Sequence, residues 1–121
     1  MMRPSRLVVG LTVPLAALGL MACQDTTKVV IDNRCGTAIE ADANDVADPV
    51  ALGYKIHWRS VPSGDSASLR SVSDRLKVLY VWVRVAGSVA VPEPLTLQVS
   101  NLEESGDKLV LTIVGDLCPA Q

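Results

Sequence analysis

The chain holds few residues of the types that carry out catalysis. His57 is the only histidine among 121 residues, and histidine is the side chain that most often serves as a general base. A hydrolase would need it beside a nucleophilic hydroxyl and an orienting carboxylate. Three such residues follow it closely, but no G-x-S-x-G elbow accompanies them: Ser60, Ser63 and Asp65. The sequence therefore predicts a protein that is not an enzyme, and a solvated His57 is the favoured interpretation over a hydrolytic site.

Metal chemistry has one candidate segment. Four oxygen-bearing side chains lie at the close spacing that calcium sites use: Asp42, Asn44, Asp45 and Asp48. An EF-hand loop beginning at Asp42 would need an oxygen ligand at its fifth position and glycine at its sixth. The chain has Val46 and Ala47 there, so we expect a plain solvated loop with neither metal nor cofactor.

A basic surface patch is the next candidate. Residues 54–59 alternate in polarity as a half-buried strand does, with Tyr54, Ile56 and Trp58 on one face. Three basic residues fall on the other face of this predicted strand: Lys55, His57 and Arg59. Such a face suits anionic headgroups or an acidic partner. An ordinary solvated strand face, whose charges also prevent edge aggregation, is the alternative.

Aromatic residues form the last candidate. The chain has two tryptophans, two tyrosines and no phenylalanine. Trp58, Tyr80 and Trp82 either stack a ligand or fill the core as its largest side chains. Tyr80 and Trp82 share one face of a predicted strand with Leu76 and Val78, so we expect these aromatics to belong to the core.

Apolar runs separated by turn residues recur along the chain at intervals of roughly 8–12 residues, which is typical of an antiparallel sandwich or a small barrel, and the sandwich is favoured. The predicted strands are residues 28–33, 37–42, 54–59, 66–72, 76–85, 95–100 and 108–114. Residues 76–85 are apolar on both faces, which predicts a central strand. Residues 101–108 are predicted to be the polar loop of a hairpin. The fold class is all-β, a small antiparallel β-sandwich of about seven strands.

The N-terminus has the three parts of an export signal. Arg3 and Arg6 precede a largely apolar run that is shorter than the roughly 20 residues needed to span a bilayer. The sequence Leu20-Met21-Ala22-Cys23 resembles the lipobox of bacterial lipoproteins, in which an aliphatic residue, a tolerant position and a small residue precede the cysteine. An uncleaved signal anchor and an ordinary secretory leader are the alternatives.

The resemblance implies a covalent lipid anchor on Cys23. A diacylglyceryl group would be attached through a thioether, and cleavage would follow between Ala22 and Cys23. Two or three acyl chains, such as palmitate, exceed what stable membrane attachment requires. The implied organisation is a lipoprotein signal peptide over 1–22, a short tether over 23–27 and a β-sandwich domain over 28–121. The protein would lie in the bacterial cell envelope, facing the extracytoplasmic side.

With Cys23 assigned to lipid, two of the three cysteines remain. We predict a disulfide between Cys35 and Cys118, because exported proteins fold in an oxidising compartment. A metal site of two thiols is the alternative, although His57 is the only histidine that would supplement it.

The segment 29–42 supports a sandwich independently. A strand runs into Asn33-Arg34-Cys35 and out into a second strand, which resembles the opening of thaumatin-type β-sandwiches. The resemblance implies a first turn pinned by Cys35 and carries no function.

Charge excludes one class of partner. From Cys23 onward the chain has nine bases against thirteen acids and no basic stripe, so nucleic acid is not an expected partner. The sequence favours a membrane-anchored cell-envelope lipoprotein with a non-catalytic structural or protein-interaction role, holding an envelope protein or wall component. The alternative is a ligand- or substrate-binding lipoprotein that uses an aromatic or basic surface patch.

Overall fold

Two four-stranded β-sheets pack face to face in the computed structural model, which describes residues 25–120. The strands are β1 (Thr26–Asn33), β2 (Ile39–Asn44), β3 (Arg59–Val61), β4 (Ser66–Ser73), β5 (Val78–Val85), β6 (Leu95–Gln98), β7 (Glu103–Ser105) and β8 (Lys108–Ile113). Short 3₁₀ turns lie at Val50–Leu52, Val99–Asn101 and Gly115–Leu117. The predicted all-β sandwich is confirmed. The predicted signal peptide and the first two residues of the predicted tether, Cys23 and Gln24, lie outside the described residues.

The first sheet, sheet A, has the strand order β4-β1-β8-β7. Strand β1 pairs antiparallel with β4 on one side and parallel with β8 on the other, with Val29 opposite Leu109. The other strand pairs are antiparallel, as predicted, and this parallel pair is a feature that the sequence did not predict. Parallel neighbours need a long connection, and here nearly the whole domain lies between the first strand and the last.

The second sheet, sheet B, has the order β3-β2-β5-β6. Strand β5 lies inside the sheet between β2 and β6, as its apolar character predicts. Leu79, Val81 and Val83 belong to the core between the sheets. Because side chains alternate along a strand, Tyr80 and Trp82 point to the outer face of sheet B. They do not pack between the two sheets as expected, although Trp82 is buried all the same (3% exposed) and Tyr80 is half-buried. A strand with two apolar faces does not indicate which face packs against the other sheet.

The core itself is aliphatic. Its largest fully buried apolar side chains, drawn from both sheets, are Val29, Ile31, Ile39, Val61, Leu79, Val81 and Ile113. Burial of a side chain of this size contributes about 1.5–3 kcal/mol. The small strand-forming residues that dominate the sequence are thus sufficient to hold the two sheets together.

Two predicted elements differ from the structure. Residues 54–58 form no strand, and only Arg59–Val61 pairs with β2. The reason is that the backbone N–H of His57 donates to the carboxylate of Asp42 at 2.8 Å instead of joining a ladder. The predicted hairpin loop 101–108 contains β7, which turns at Gly106 (φ 64°) into β8. Strands β6 and β8 lie in different sheets, so they form no hairpin together.

The predicted disulfide is present. Cys35, in the turn after β1, is bonded to Cys118, beyond β8, with their Cα atoms 5.8 Å apart. The bridge joins points 83 residues apart in sequence, at the end of the sandwich where β1 and β8 finish. It therefore closes nearly the whole domain into one loop.

Asn33 organises that same end. It is fully buried, and its side-chain and backbone polar groups all have partners within the domain. Its side-chain nitrogen donates to the carbonyl oxygens of Thr37 (3.0 Å) and Val61 (2.9 Å), and its side-chain oxygen accepts the N–H of Cys35 (2.8 Å). In the turn after β3, its backbone N–H donates to the carbonyl oxygen of Asp65 and its backbone carbonyl oxygen accepts the N–H of Gly64, both at 2.8 Å. The sequence predicted only a turn here, so this central role is a finding of the structure.

Candidate functional site

The structure brings together two of the three residues of the predicted basic patch. Lys55 and His57 are exposed and line one depression of about 410 Å³, whereas Arg59, also exposed, lies on β3 outside it. Arg70, from strand β4, lines the same depression. A third basic residue therefore does lie beside Lys55 and His57, but it belongs to a strand distant in the sequence, which no local pattern connects with them.

Arg70 forms an ion pair that spans the two sheets. Its Nη2 donates to both carboxylate oxygens of Asp42 on β2, at 3.1 and 3.2 Å. The Asp42 side chain is only 3% exposed, and it also accepts the backbone N–H groups of Ala43 and His57, each at 2.8 Å. Much of the Arg70 charge is thus matched inside the protein, and the other charged or basic side chains lining the depression are Lys55, His57 and the acidic Asp45.

A second depression, of about 420 Å³, lies on the other side of Arg70 near the start of β1. The charged residues that line it are mixed in sign: Asp25, Asp45, Asp74, Arg70 and Arg75. Three acids and two bases give this lining no uniform sign of charge, and Arg70 is already paired with Asp42. We assign the Asp42–Arg70 pair a structural role, because it joins β2 of sheet B to the edge strand β4 of sheet A.

Replacing Arg70 by methionine should lower the free energy of unfolding by about 3 kcal/mol, because it leaves the buried Asp42 carboxylate without its countercharge. Urea denaturation followed by tryptophan fluorescence measures the difference. The matched control is Arg75→Met. Arg75 is exposed and lies beyond β4, so this substitution should change the free energy of unfolding by less than about 0.5 kcal/mol. Equal effects of the two substitutions would contradict the role of the pair.

The other residues considered for chemistry are dispersed. Within residues 25–120, no hydrogen bond joins the His57 imidazole to Ser60, Ser63 or Asp65, and Ser63 Oγ instead donates to the carbonyl oxygen of Cys35. Asn44 turns its amide oxygen onto the N–H of Asp45, at 2.8 Å. The part of the chain that the structure describes contains no group of three histidine, cysteine or acidic side chains able to hold a metal.

A stacked cluster occupies the outer face of sheet B. The Arg84 guanidinium lies 3.8 Å from the centroid of the Trp58 ring, and its Nε donates to Glu40 at 2.8 Å. Its Nη1 donates to the carbonyl oxygen of Ala90, also at 2.8 Å. This arrangement fixes the loop over residues 86–94 against the sheet and uses Trp58 as a platform for Arg84 rather than for a ligand.

An aromatic trough lies beside this cluster on the same face. We define it by its lining residues: Ala47, Asp48, Tyr80, Trp82, Val91, Pro92, Glu93, Pro94 and Thr96. It is an open depression of about 490 Å³, a volume in the range of small ligand sites. Tyr80, which is half-buried, gives the accessible part of its floor, Trp82 lies beside it but is only 3% exposed, and valine and proline line the wall.

A scan against known protein families and searches of curated proteins and of solved structures find no match to this chain. The geometry of the site is therefore the available guide to function. Sequence reasoning named both aromatic residues of the trough; it considered Asp48 only as a calcium ligand and missed Glu93. It also missed Arg84 and Glu40, since pairs across strands leave no signal in local spacing.

In residues 25–120 we find no helix of the length and apolarity needed to cross a membrane.

Proposed function

We propose that this protein is a membrane-anchored lipoprotein of the bacterial cell envelope, with a non-catalytic structural or protein-interaction role. The observation that carries the proposal is the position of β1, which begins at Thr26, only three residues after Cys23. Three residues span at most about 10 Å. Acyl chains on Cys23 would therefore hold one end of the sandwich directly against the lipid headgroups.

The end that would face the membrane carries two turns. The N–H of Asp74, after β4, donates to the carbonyl oxygen of Asp25 at 3.2 Å. The N–H of Lys28 donates to the carbonyl oxygen of Asp107, in the turn between β7 and β8, at 2.9 Å. Strand β1 runs about 25 Å from this end to the disulfide. The disulfide end and both sheet faces would then stay available to a partner in the envelope.

A second candidate function is ligand binding, and the aromatic trough is the observation that favours it. The trough combines ring faces with a small number of polar groups, which is the composition of small-ligand sites. A soluble ligand would then be held near the membrane by the same anchor. A rise in the melting temperature on adding the ligand distinguishes this function from a purely structural role.

Metabolic labelling with radioactive palmitate tests the anchor. We expect the full chain to incorporate label in bacterial cells and Cys23→Ala to incorporate none, because only the thiol of Cys23 forms the thioether. Mass spectrometry of the wild-type chain should find no peptide from residues 1–22.

The double variant Cys35→Ala, Cys118→Ala is the control for labelling, because it keeps Cys23 and lacks the other two cysteines. The part of this variant that is not degraded in the cell should carry the label. Label that persists in Cys23→Ala would contradict the proposed anchor. So would a wild-type chain that keeps residues 1–22 attached.

A further inference from the structure

The aromatic trough presents negative charge without a matching base. Asp48 and Glu93 are both exposed, and among residues 25–120 they are the only charged residues that line it. The Oδ1 atom of Asp48 accepts the N–H of Ala51 at 3.2 Å, which holds the carboxylate at the rim. The trough therefore attracts cations and repels anions.

The nearest cation on the same strand is already engaged. Arg84 lies two residues beyond Trp82 on the outer face of β5, where it is paired with Glu40 and stacked on Trp58. Its side chain is only 15% exposed. It does not line the trough, so the carboxylates of Asp48 and Glu93 remain open to an external cation.

The floor and wall suit one kind of cation. Ring faces of tyrosine and tryptophan attract ammonium and guanidinium groups through the aromatic quadrupole. The stems of lysine and arginine are apolar and pack on surfaces such as Val91 and Pro94 while their charged heads reach a polar rim. A hydrated metal ion would gain nothing from these apolar walls.

The position of the trough distinguishes a polypeptide from a lipid. Tyr80 and Trp82 lie in the middle of β5, on the side of the sandwich, whereas the headgroups would contact the end beside Thr26. Thr96, at one wall, belongs to β6, the edge strand of sheet B. An edge strand presents unpaired backbone groups to which an extended segment can add.

We propose that the aromatic trough binds a lysine or arginine side chain on an extended segment of a partner polypeptide. The inference deepens the proposed interaction role and rests on it, because the anchor is what turns the trough away from the membrane. The segment lies along β6, and its cationic side chain enters between the ring floor and the carboxylates of Asp48 and Glu93.

Peptide titration tests the proposal on the full chain in neutral detergent. The probes are acetylated and amidated Ala-Lys-Ala, Ala-Arg-Ala and Ala-Glu-Ala, and the readout is the amide and indole N–H resonances of the labelled protein. We expect the lysine and arginine peptides to shift the Trp82 indole and the Glu93 amide, with a Kd of about 1 mM. The Trp58 indole, held under Arg84, should stay unshifted, as should all resonances with the glutamate peptide.

Two pairs of substitutions distinguish binding in the trough from non-specific attraction of a cationic peptide to an acidic protein. Asp48→Asn with Glu93→Gln should weaken binding at least tenfold. Glu103→Gln with Glu104→Gln removes the same charge from the exposed strand β7 of sheet A and should leave the Kd unchanged. Equal weakening by the two pairs would overturn the proposal. Shifts produced by phosphocholine but by neither cationic peptide would overturn it in favour of a lipid headgroup.

The proposal and the anchor fail separately. Loss of palmitate labelling with intact peptide binding would reject the membrane anchor and leave the trough as a cation site. Intact labelling with no shift of the Trp82 indole would reject the trough and leave the lipoprotein.

Discussion

Replacing Asn33 by aspartate should lower the free energy of unfolding by about 4 kcal/mol, one of the largest effects expected of any substitution in this chain. The side chain is fully buried, and its two N–H groups satisfy the carbonyl oxygens of Thr37 and Val61. An ionised aspartate has no N–H to donate and sets a negative oxygen against both carbonyls. Urea denaturation of the oxidised protein measures the loss.

Two further variants sharpen the test on Asn33. Asn101→Asp makes the same chemical change at an exposed position and should alter stability by less than about 0.5 kcal/mol. Asn33→Ala also leaves the two carbonyl oxygens unpaired but adds no charge, so it should fall between the wild type and Asn33→Asp. A loss below about 1 kcal/mol for Asn33→Asp would show that the network reorganises around the substitution.

Removing the disulfide should produce a loss of similar size. Cys35→Ala combined with Cys118→Ala opens a loop of 83 residues, which the chain-entropy treatment values at about 4.5 kcal/mol. In this treatment the loss arises mainly because the unfolded state gains conformational entropy when the disulfide is absent. Urea denaturation of the double variant at neutral pH measures it, with the reduced wild-type chain for comparison.

The reduced wild type and the double variant should unfold at similar urea concentrations, since both lack the same constraint. A double variant as stable as the oxidised wild type would contradict the stabilising role of the disulfide. Asn33→Asp should cost less in the double variant than in the wild type, because the N–H of Cys35 donates to Asn33 and the two sites share a turn.

Strands with one buried face were predictable from the sequence. Val29 and Ile31 lie two positions apart, between the polar residues Lys28 and Asp32, and that spacing locates β1 whatever it packs against. Strand β8 was located in the same way. Residues 76–85 were predictable as a central strand, because only a strand covered on both sides tolerates apolar residues at successive positions.

The same criterion failed at residues 54–59. Their alternation is as regular as that of β1, but a strand also needs a neighbour to receive its backbone hydrogen bonds. The Asp42 carboxylate takes the N–H of His57, and the ladder with β2 is confined to Arg59–Val61. The alternation of polar and apolar residues therefore predicted an extended segment, but it did not determine whether that segment forms backbone hydrogen bonds with a neighbouring strand.

The sequence predicted some of the residue types in the candidate site, but it did not predict where in the fold they lie. Tyr80 and Trp82 were recognised from composition, since a chain without phenylalanine uses each large ring for packing or binding. The sequence assigned them to the core because they share one face of the predicted strand with Leu76 and Val78. Their neighbours in the trough, Asp48 and Glu93, come from two loops separated by more than forty residues, so no local pattern connects them.

By itself the sequence determined the elements that follow from local periodicity and from counting: a β domain with an aliphatic core, and the pairing of Cys35 with Cys118 once Cys23 is assigned to lipid. Only the tertiary structure decided the rest. It decided that β1 lies parallel to β8, that Asn33 holds the disulfide end, and that the rings of β5 face outward. The physical reason is that these features depend on contacts between residues distant in sequence, whose free energies a local pattern does not contain.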